Sequence, residues 1–205
     1  MPDELLIRRT GSGSRAHTAF LQALDEHRSL FDRLGSLAPV VEHAAHLVAQ
    51  SLRAGGKLML CGNGGSAADS QHIAAELTGR FQRERPPMAA LALSVDTSAL
   101  TCIGNDYGFA EVFARQVRGI GRRGDCLVAI STSGRSPNVL RAVAAANELG
   151  ICSIALTGSQ GGPVAEASRL AIRVPGEITA RIQEAHIFIG HALCALVDDT
   201  LWPQG

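Results

Sequence analysis

The sequence predicts an α/β fold in which helices flank a five-stranded parallel sheet and two further helices precede it. Short runs that are apolar throughout alternate with segments whose apolar residues recur at helical spacing. Continuously apolar strands are typical of parallel sheets, because helices cover both faces of such a sheet. Two of the runs end in small polar turns that contain glycine, and ligands of parallel α/β sheets bind at that edge.

The N-terminal part of the chain is predicted to form a tail and two helices. Residues 1–15 include Gly11-Ser12-Gly13-Ser14, a composition typical of flexible segments. Apolar residues then recur at helical spacing over about 16–34. A second helix is expected from Pro39, which suits a first helical turn, to a stop before Gly55-Gly56.

The rest of the chain is predicted to complete one domain. The length of 205 residues fits a single domain. We expect this domain at 16–200, with N-terminal helices at 16–54 and an α/β core at 57–200. Within the core, strands are expected at 57–61, 89–93, 125–130, 152–156 and 170–174, and helices at 66–80, 97–119 (two short helices flanking a turn at Gly104-Asn105-Asp106), 137–149, 163–167 and 180–199.

Composition and charge exclude several classes of protein. The chain has 19 basic and 19 acidic residues, so it lacks the basic excess that nucleic acids and membrane surfaces attract. It opens Met-Pro-Asp-Glu, unlike a secretory signal, and has no apolar run of the length that spans a membrane. Its five scattered cysteines form no C-x-x-C pair, which fits a reducing compartment. We therefore expect a cytoplasmic protein without nucleic-acid or membrane partners.

The first predicted ligand-binding loop is Gly62-Asn63-Gly64-Gly65-Ser66, between a strand and a helix. Its glycines permit a close backbone approach, and the free N–H groups of a helix start attract anions. Ser66 suits the N-cap of the following helix. The alternative is an ordinary strand-to-helix turn. The loop matches neither the G-x-G-x-x-G dinucleotide motif nor the lysine-containing phosphate loop of nucleotide-binding proteins.

The second predicted loop is Ser131-Thr132-Ser133-Gly134-Arg135-Ser136. Four of its six residues carry hydroxyl groups, which can surround a phosphate without the help of a lysine. The alternative is a helix N-cap that happens to be rich in hydroxyls. Two such loops in one chain predict a phosphorylated small molecule as ligand.

Two helices carry residues suited to metal binding or proton transfer. His72 and Glu76 lie four residues apart, so they share one helix face about 6 Å apart along the axis. They can bind a metal, divide acid and base roles, or form a solvated surface pair. Gln183 and His191 lie about 12 Å apart on the last helix and either meet one ion or belong to sites built from several subunits. His186 is expected to have a packing or surface role.

These motifs together resemble the sedoheptulose 7-phosphate isomerase (phosphoheptose isomerase) family. The longest matching segment runs from Gly62 to Leu77, and the resemblance covers about residues 16–200. The other matching segments are Gly104-Asn105-Asp106-Tyr107, Ser131-Thr132-Ser133-Gly134, Leu156-Thr157-Gly158 and Arg181-Ile182-Gln183-Glu184. One departure is Ala180, because some members have an acidic residue at that position.

The resemblance implies a fold, an activity and an assembly. The fold is the three-layer sugar isomerase (SIS) type. The activity is the conversion of sedoheptulose 7-phosphate to D-glycero-D-manno-heptose 7-phosphate through an enediol, which begins the biosynthesis of nucleotide-activated heptose. The assembly is a cytoplasmic homotetramer.

The resemblance also implies roles for individual residues. Glu76 and His191 would be the catalytic pair. Zinc, one ion per subunit, would be bound by His72, Glu76, Gln183 and His191. Substrate would be bound by Asn63, Gly64, Gly65, Ser66, Glu76, Asn105, Asp106, Ser131, Thr132, Ser133, Ser136 and Gln183.

Two other functions are compatible with the same fold. One is that of a non-catalytic SIS-domain protein of the kind that binds the bacterial replication initiator, a class that residues 196–203 also resemble. Its best-known member lacks the glutamate that matches Glu76, so the presence here of His72, Glu76 and His191 favours an enzyme. The other is a sugar-phosphate-sensing domain, for which the chain offers no DNA-binding segment.

Overall fold

The computed structural model of the protein describes residues 15–203. The tail that we expected at residues 1–15 lies outside the described part, apart from the backbone of Arg15, where the first helix begins. Within the described residues, no helix combines the length and the apolarity that a membrane span requires.

A sheet of five parallel strands forms the centre of the molecule, as the sequence predicts. The strands stand in the order β2-β1-β3-β4-β5, and every neighbouring pair is parallel. Because the pairing is parallel throughout, all the strand ends that lead into the predicted loops lie at one edge. The strands are β1 (Leu58–Gly62), β2 (Ala90–Ala92), β3 (Cys126–Ser131), β4 (Cys152–Thr157) and β5 (Leu170–Arg173).

Helices cover both faces of this sheet and give the molecule three layers. Successive residues of β1 alternate between the two sides: Leu58 and Leu60 pack towards α2, α3 and α8, and Met59 packs towards α5 and α6. The helices are α1 (Arg15–Phe31), α2 (Ala38–Arg53), α3 (Gly65–Thr78), α4 (Thr97–Tyr107), α5 (Val112–Ile120), α6 (Pro137–Glu148), α7 (Gly162–Ala167) and α8 (Thr179–Leu201).

The predicted turn at Gly104-Asn105-Asp106 is wrong. Helix α4 runs through these residues without interruption and begins at an N-cap, Asp96, whose carboxylate accepts a hydrogen bond from the Ala99 N–H at 2.9 Å. The break comes at Gly108, where φ is +84°. Positive φ is accessible to glycine at little cost, so the chain turns there, and Gly104 remains an ordinary helical residue.

His186 is a core residue of α8, so of the packing and surface roles that we expected for it the structure supports packing. Its side chain is completely buried. Burial lowers the pKa of His186 to about 4, and the adjacent backbone of Thr157 offsets this in part. The imidazole is therefore neutral in the folded protein at neutral pH.

Burial of His186 should make the stability of the protein depend on pH. Histidine in an unfolded chain has a pKa of about 6.5. Below that pH the His186 imidazole binds a proton in the unfolded chain but not in the folded one. The free energy of unfolding therefore falls as the pH decreases from about 6.5 towards 4. Between pH 7 and pH 5, the free energy of unfolding should fall by about 2 kcal/mol more in the parent than in His186→Leu. Urea unfolding followed by circular dichroism measures this difference.

The exposed His46 on α2 offers a matched control. Because its side chain stays exposed to water in the folded protein, His46→Leu should leave the pH dependence unchanged. Identical slopes in the parent and in His186→Leu would contradict the assignment to His186.

Candidate active site

The first loop leads from β1 into α3 through two glycines. Gly64 occupies the N-cap position with φ of +55°. A Cβ on Gly65 would lie 2.5 Å from Nε2 of Gln183, so the missing side chain admits the amide of α8 to the loop. Gln183, which the sequence predicts as a zinc ligand and substrate contact, therefore lies against the first loop.

The prediction that Ser66 caps α3 is wrong. Ser66 is buried in the first turn of the helix, and its N–H donates to the carbonyl of Asn63 at 3.0 Å. The helix begins one residue before Ser66, because Gly64 adopts a positive φ that ends the turn early.

A pair of asparagines joins the first loop to the second. The amide of Asn63 donates to Asn138 at 2.9 Å and accepts from it at 2.8 Å. Asn138 is buried at the start of α6, and its Oδ1 also accepts from the N–H of Val139. Asn138 was not among the residues that the sequence motifs identified. The available signal was its position two residues after Ser136, at the end of the hydroxyl-rich loop.

The second loop, between β3 and α6, is closed by its own hydroxyl groups. Oγ of Ser131 and Oγ of Ser136 lie 3.0 Å apart, and the Arg135 N–H donates to Oγ of Ser133 at 3.2 Å. Gly134 has φ of +64°, and a Cβ there would lie 1.7 Å from the carbonyl oxygen of Gly161. The loop therefore requires glycine at this position, because the turn that precedes α7 packs directly on it.

A cavity of about 450 Å³ opens beside this loop at the carboxyl edge of β3 and β4. Thr132, Ser133 and Arg135 line one wall, and Ser159 lines another. Among the described residues, Oγ of Ser159 is a buried atom without a hydrogen-bond partner, so it is available to a ligand. The sequence analysis missed Ser159, although it follows the Leu156-Thr157-Gly158 motif at the end of a strand.

His72, Glu76 and His191 come together between α3 and α8. Nε2 of His72 lies 2.9 Å from Nε2 of His191 and 3.3 Å from Oε1 of Glu76. The ring of His191 also stacks on Phe81, with centroids 5.4 Å apart. Thus His72 and Glu76 form more than a solvated pair on one helix, since a residue of a second helix completes the group.

The donor atoms of this group suit a transition metal. One ligand atom from each of the three residues lies within 4.8 Å of the others. Two imidazole nitrogens and one carboxylate oxygen form a donor set that zinc uses in catalytic sites, with metal–ligand distances of about 2.0–2.2 Å. Ligands at that distance from one ion stand roughly 3–3.5 Å apart, close to the separations seen here.

Asp69 is a further titratable residue of this region that the sequence analysis missed. It lies on α3 three residues before His72, a spacing that places both on one helix face. Burial raises the pKa of Asp69, and the charge of His72 opposes that shift. The spacing to His72 was the signal that could have identified it.

Asn105 and Asp106 are exposed on α4. The amide of Asn105 donates to Oδ1 of Asp106 at 2.8 Å, and Asp106 also accepts from the thiol of Cys102. Neither residue lines the cavity beside the second loop. The assignment of Asn105 and Asp106 as substrate contacts therefore stays a prediction.

The parallel sheet and the two loops at its carboxyl edge define an SIS domain, and residues 24–158 match that family. A phosphoheptose isomerase of Rhodospirillum rubrum is 58% identical over 171 residues, which is 83% of this chain and 91% of the relative. The chain therefore belongs to the phosphoheptose isomerase family of SIS domain proteins.

Two solved structures confirm the predicted fold type. A phosphoheptose isomerase from Neisseria gonorrhoeae superimposes with a TM-score of 0.79 at 48% identity, covering 90% of this chain and 97% of that one. A phosphoheptose isomerase from Francisella tularensis gives 0.82 at 37% identity, covering 90% and 96%.

Proposed function

We propose that this protein is an aldose–ketose isomerase, an intramolecular oxidoreductase that converts sedoheptulose 7-phosphate to D-glycero-D-manno-heptose 7-phosphate. This reaction would be the first step of nucleotide-activated heptose biosynthesis. The observation that carries the proposal is the meeting of the Glu76 carboxylate with the imidazoles of His72 and His191 in a chain 58% identical to a phosphoheptose isomerase.

The isomerisation needs one group to move a carbon-bound proton and another to move a proton between oxygens. Glu76 takes the proton from C1 of the ketose and returns it to C2, with an enediol between the two steps. His191 carries the proton from the C1 hydroxyl to the C2 oxygen. Because both residues belong to one cluster, the two transfers occur at adjacent atoms of the sugar.

The second loop and its cavity bind the phosphate in this proposal. Backbone N–H groups at the start of α6 and the hydroxyls of Ser131, Thr132, Ser133 and Ser136 surround the anion. The guanidinium of Arg135, which lines the cavity, adds positive charge. The sugar is bound by Asn63, Gly64, Gly65, Ser66, Asn105, Asp106 and Gln183.

We also propose one zinc ion per subunit, held by His72, Glu76, Gln183 and His191. When bound, the ion supplies a Lewis acid that polarises the substrate carbonyl. A carboxylate that binds zinc is a weaker base, so in this proposal either the ion leaves Glu76 free during turnover or the ion has another role. The imidazoles of His72 and His191 contact each other, and the ring of His191 stacks on Phe81, so these contacts orient both rings.

A cytoplasmic homotetramer is the proposed working form. All five cysteines are free thiols, which suits the cytoplasm.

Phe20 and Phe188 are exposed on α1 and α8, and an apolar groove of about 340 Å³ lies between these helices and α2. His191 lies nine residues, about 14 Å, beyond Ile182 of the phosphate cavity. This separation favours active sites in which the second loop of one subunit lies beside the His72–Glu76–His191 cluster of another.

Phe188→Glu should weaken this assembly. A carboxylate in the apolar groove would have to be desolvated when subunits associate. We expect the parent to have the mass of a tetramer in light scattering and the variant to have a smaller one, with an unchanged circular dichroism spectrum. A variant that remains tetrameric would contradict the placement of the interface.

The carboxylate of Glu76 is the part of the proposal to test first. Glu76→Gln keeps the shape of the side chain but removes the base, so we expect kcat to fall by a factor of about 10² to 10⁴. Turnover of sedoheptulose 7-phosphate would be followed by phosphorus NMR, with and without chelator. Glu166→Gln, at an exposed carboxylate of α7, should behave as the parent.

The outcomes separate the alternatives. Substantial turnover by Glu76→Gln would exclude this residue as the base. A folded, zinc-loaded parent that forms no product would contradict the isomerase. Such a result would instead indicate a binding protein of the replication-initiator type, which keeps the phosphate loops without the chemistry.

Thr132→Val should test the phosphate loop. The change removes one hydroxyl donor to a charged group, a loss of about 1.5–3 kcal/mol, or a factor of roughly 10 to 100 in affinity. Since the phosphate is remote from the reacting carbons, we expect KM to rise with kcat nearly unchanged. Thr200→Val, whose hydroxyl bonds within α8, is the control. A fall in kcat at constant KM would assign Thr132 to the chemistry instead.

A further inference from the structure

Arg85 is a buried cation whose polar contacts reach α8, the carboxyl end of α3 and, at 3.2 Å, the carbonyl of the next residue, Pro86. Its side chain is 1% exposed and pairs with the equally buried Asp198 of α8, Nε to Oδ1, at 2.8 Å. Nη2 donates to the carbonyl of Glu76 at 2.7 Å, and Nη1 donates to those of Leu77 at 2.8 Å and Gly79 at 3.1 Å. An arginine is almost never buried this deeply unless its charge is paired.

The contacts of Arg85 fix the carboxyl end of α3. The last carbonyls of a helix lack partners within the helix and carry partial negative charge, so a cation bonded to them stabilises that end. One of these carbonyls belongs to Glu76 itself. Asp198 lies seven residues after His191, two turns further along α8. The ion pair therefore joins the two helices that supply the His72–Glu76–His191 cluster.

The spacing of these helices determines the shape of the cluster. At Gly190 a Cβ would lie 2.5 Å from Cδ1 of Ile73, so the helices are already in close contact there. The carboxylate of Glu76 comes from α3 and the imidazole of His191 from α8. A displacement of about 1 Å between such groups is enough to impair metal binding or catalysis.

We propose that the Arg85–Asp198 ion pair is the positioning element of the cluster, holding the backbone of Glu76 at a fixed place relative to His191. Its kinetic consequence rests on the proposed isomerase function, whereas its consequence for metal binding does not. Stability alone is a poor explanation of the pair, because apolar residues of similar volume often replace a buried ion pair at no cost.

The chain supplies a matched control on the same two segments. Arg83 pairs with Asp199 at 2.7 Å, with side chains 22% and 69% exposed. This pair also connects the segment after α3 to α8, but it bonds to no carbonyl of α3. Its removal should leave the cluster in place, because an exposed ion pair contributes little.

The experiment compares three proteins: the parent, the double variant Arg85→Met/Asp198→Leu and the control Arg83→Gln/Asp199→Asn. The apolar double variant removes the polar contacts without leaving an unpaired buried charge. Cobalt binding, followed by its visible absorption, should weaken by about 10- to 100-fold in the double variant alone. We expect kcat to fall with it while KM stays within about twofold, because the phosphate loop lies between β3 and α6. Thermal melting without metal reports the fold.

Asp198→Glu is a second, conservative variant that retains the charge. It should recover part of the cobalt affinity relative to the double variant. A double variant that melts like the parent and keeps its cobalt affinity and kcat would overturn the proposal. If the parent binds cobalt but turns over no sedoheptulose 7-phosphate, the isomerase proposal fails. The difference in cobalt affinity between parent and variant then still decides the role of the ion pair.

Discussion

The close packing of α3 on α8 is the constraint on which the site depends. The two helices meet where Gly65 faces Gln183 and where Gly190 faces Ile73, and neither glycine has room for a Cβ. At this spacing the imidazoles of His72 and His191, one from each helix, lie 2.9 Å apart. The same packing buries the apolar face of α8 against the sheet, so one interface contributes both to the core and to the chemistry.

The sequence was most informative about features that depend on a local pattern of residues. Continuously apolar runs identified the parallel strands, and the four-residue spacing identified the face shared by His72 and Glu76. The position of His191 beside them was outside the reach of spacing alone, because it depends on how α8 lies across α3. In the same way, the reciprocal amide bonds of Asn63 and Asn138 join residues 75 apart along the chain.

The two wrong local predictions have one physical cause. In each case the helix boundary was expected at polar residues that favour caps or turns, and it lies instead at a nearby glycine with positive φ. Gly64 took the cap position expected for Ser66, and Gly108 took the turn expected at Gly104-Asn105-Asp106. Preferences of residue types did not distinguish these glycines from their neighbours. The helix boundaries followed from the backbone angles that tertiary packing selected.

One corner beside the cavity at β3 is fixed by main-chain contacts. The loop at Gly134 is locked to the turn before α7, since its carbonyl accepts the N–H of Val164 and a Cβ would collide with Gly161. Such a corner keeps its shape when the side chains around it are exchanged. A relative that bound a different phosphorylated ligand would retain this corner and differ in the exposed side chains that line the cavity, Arg135 among them.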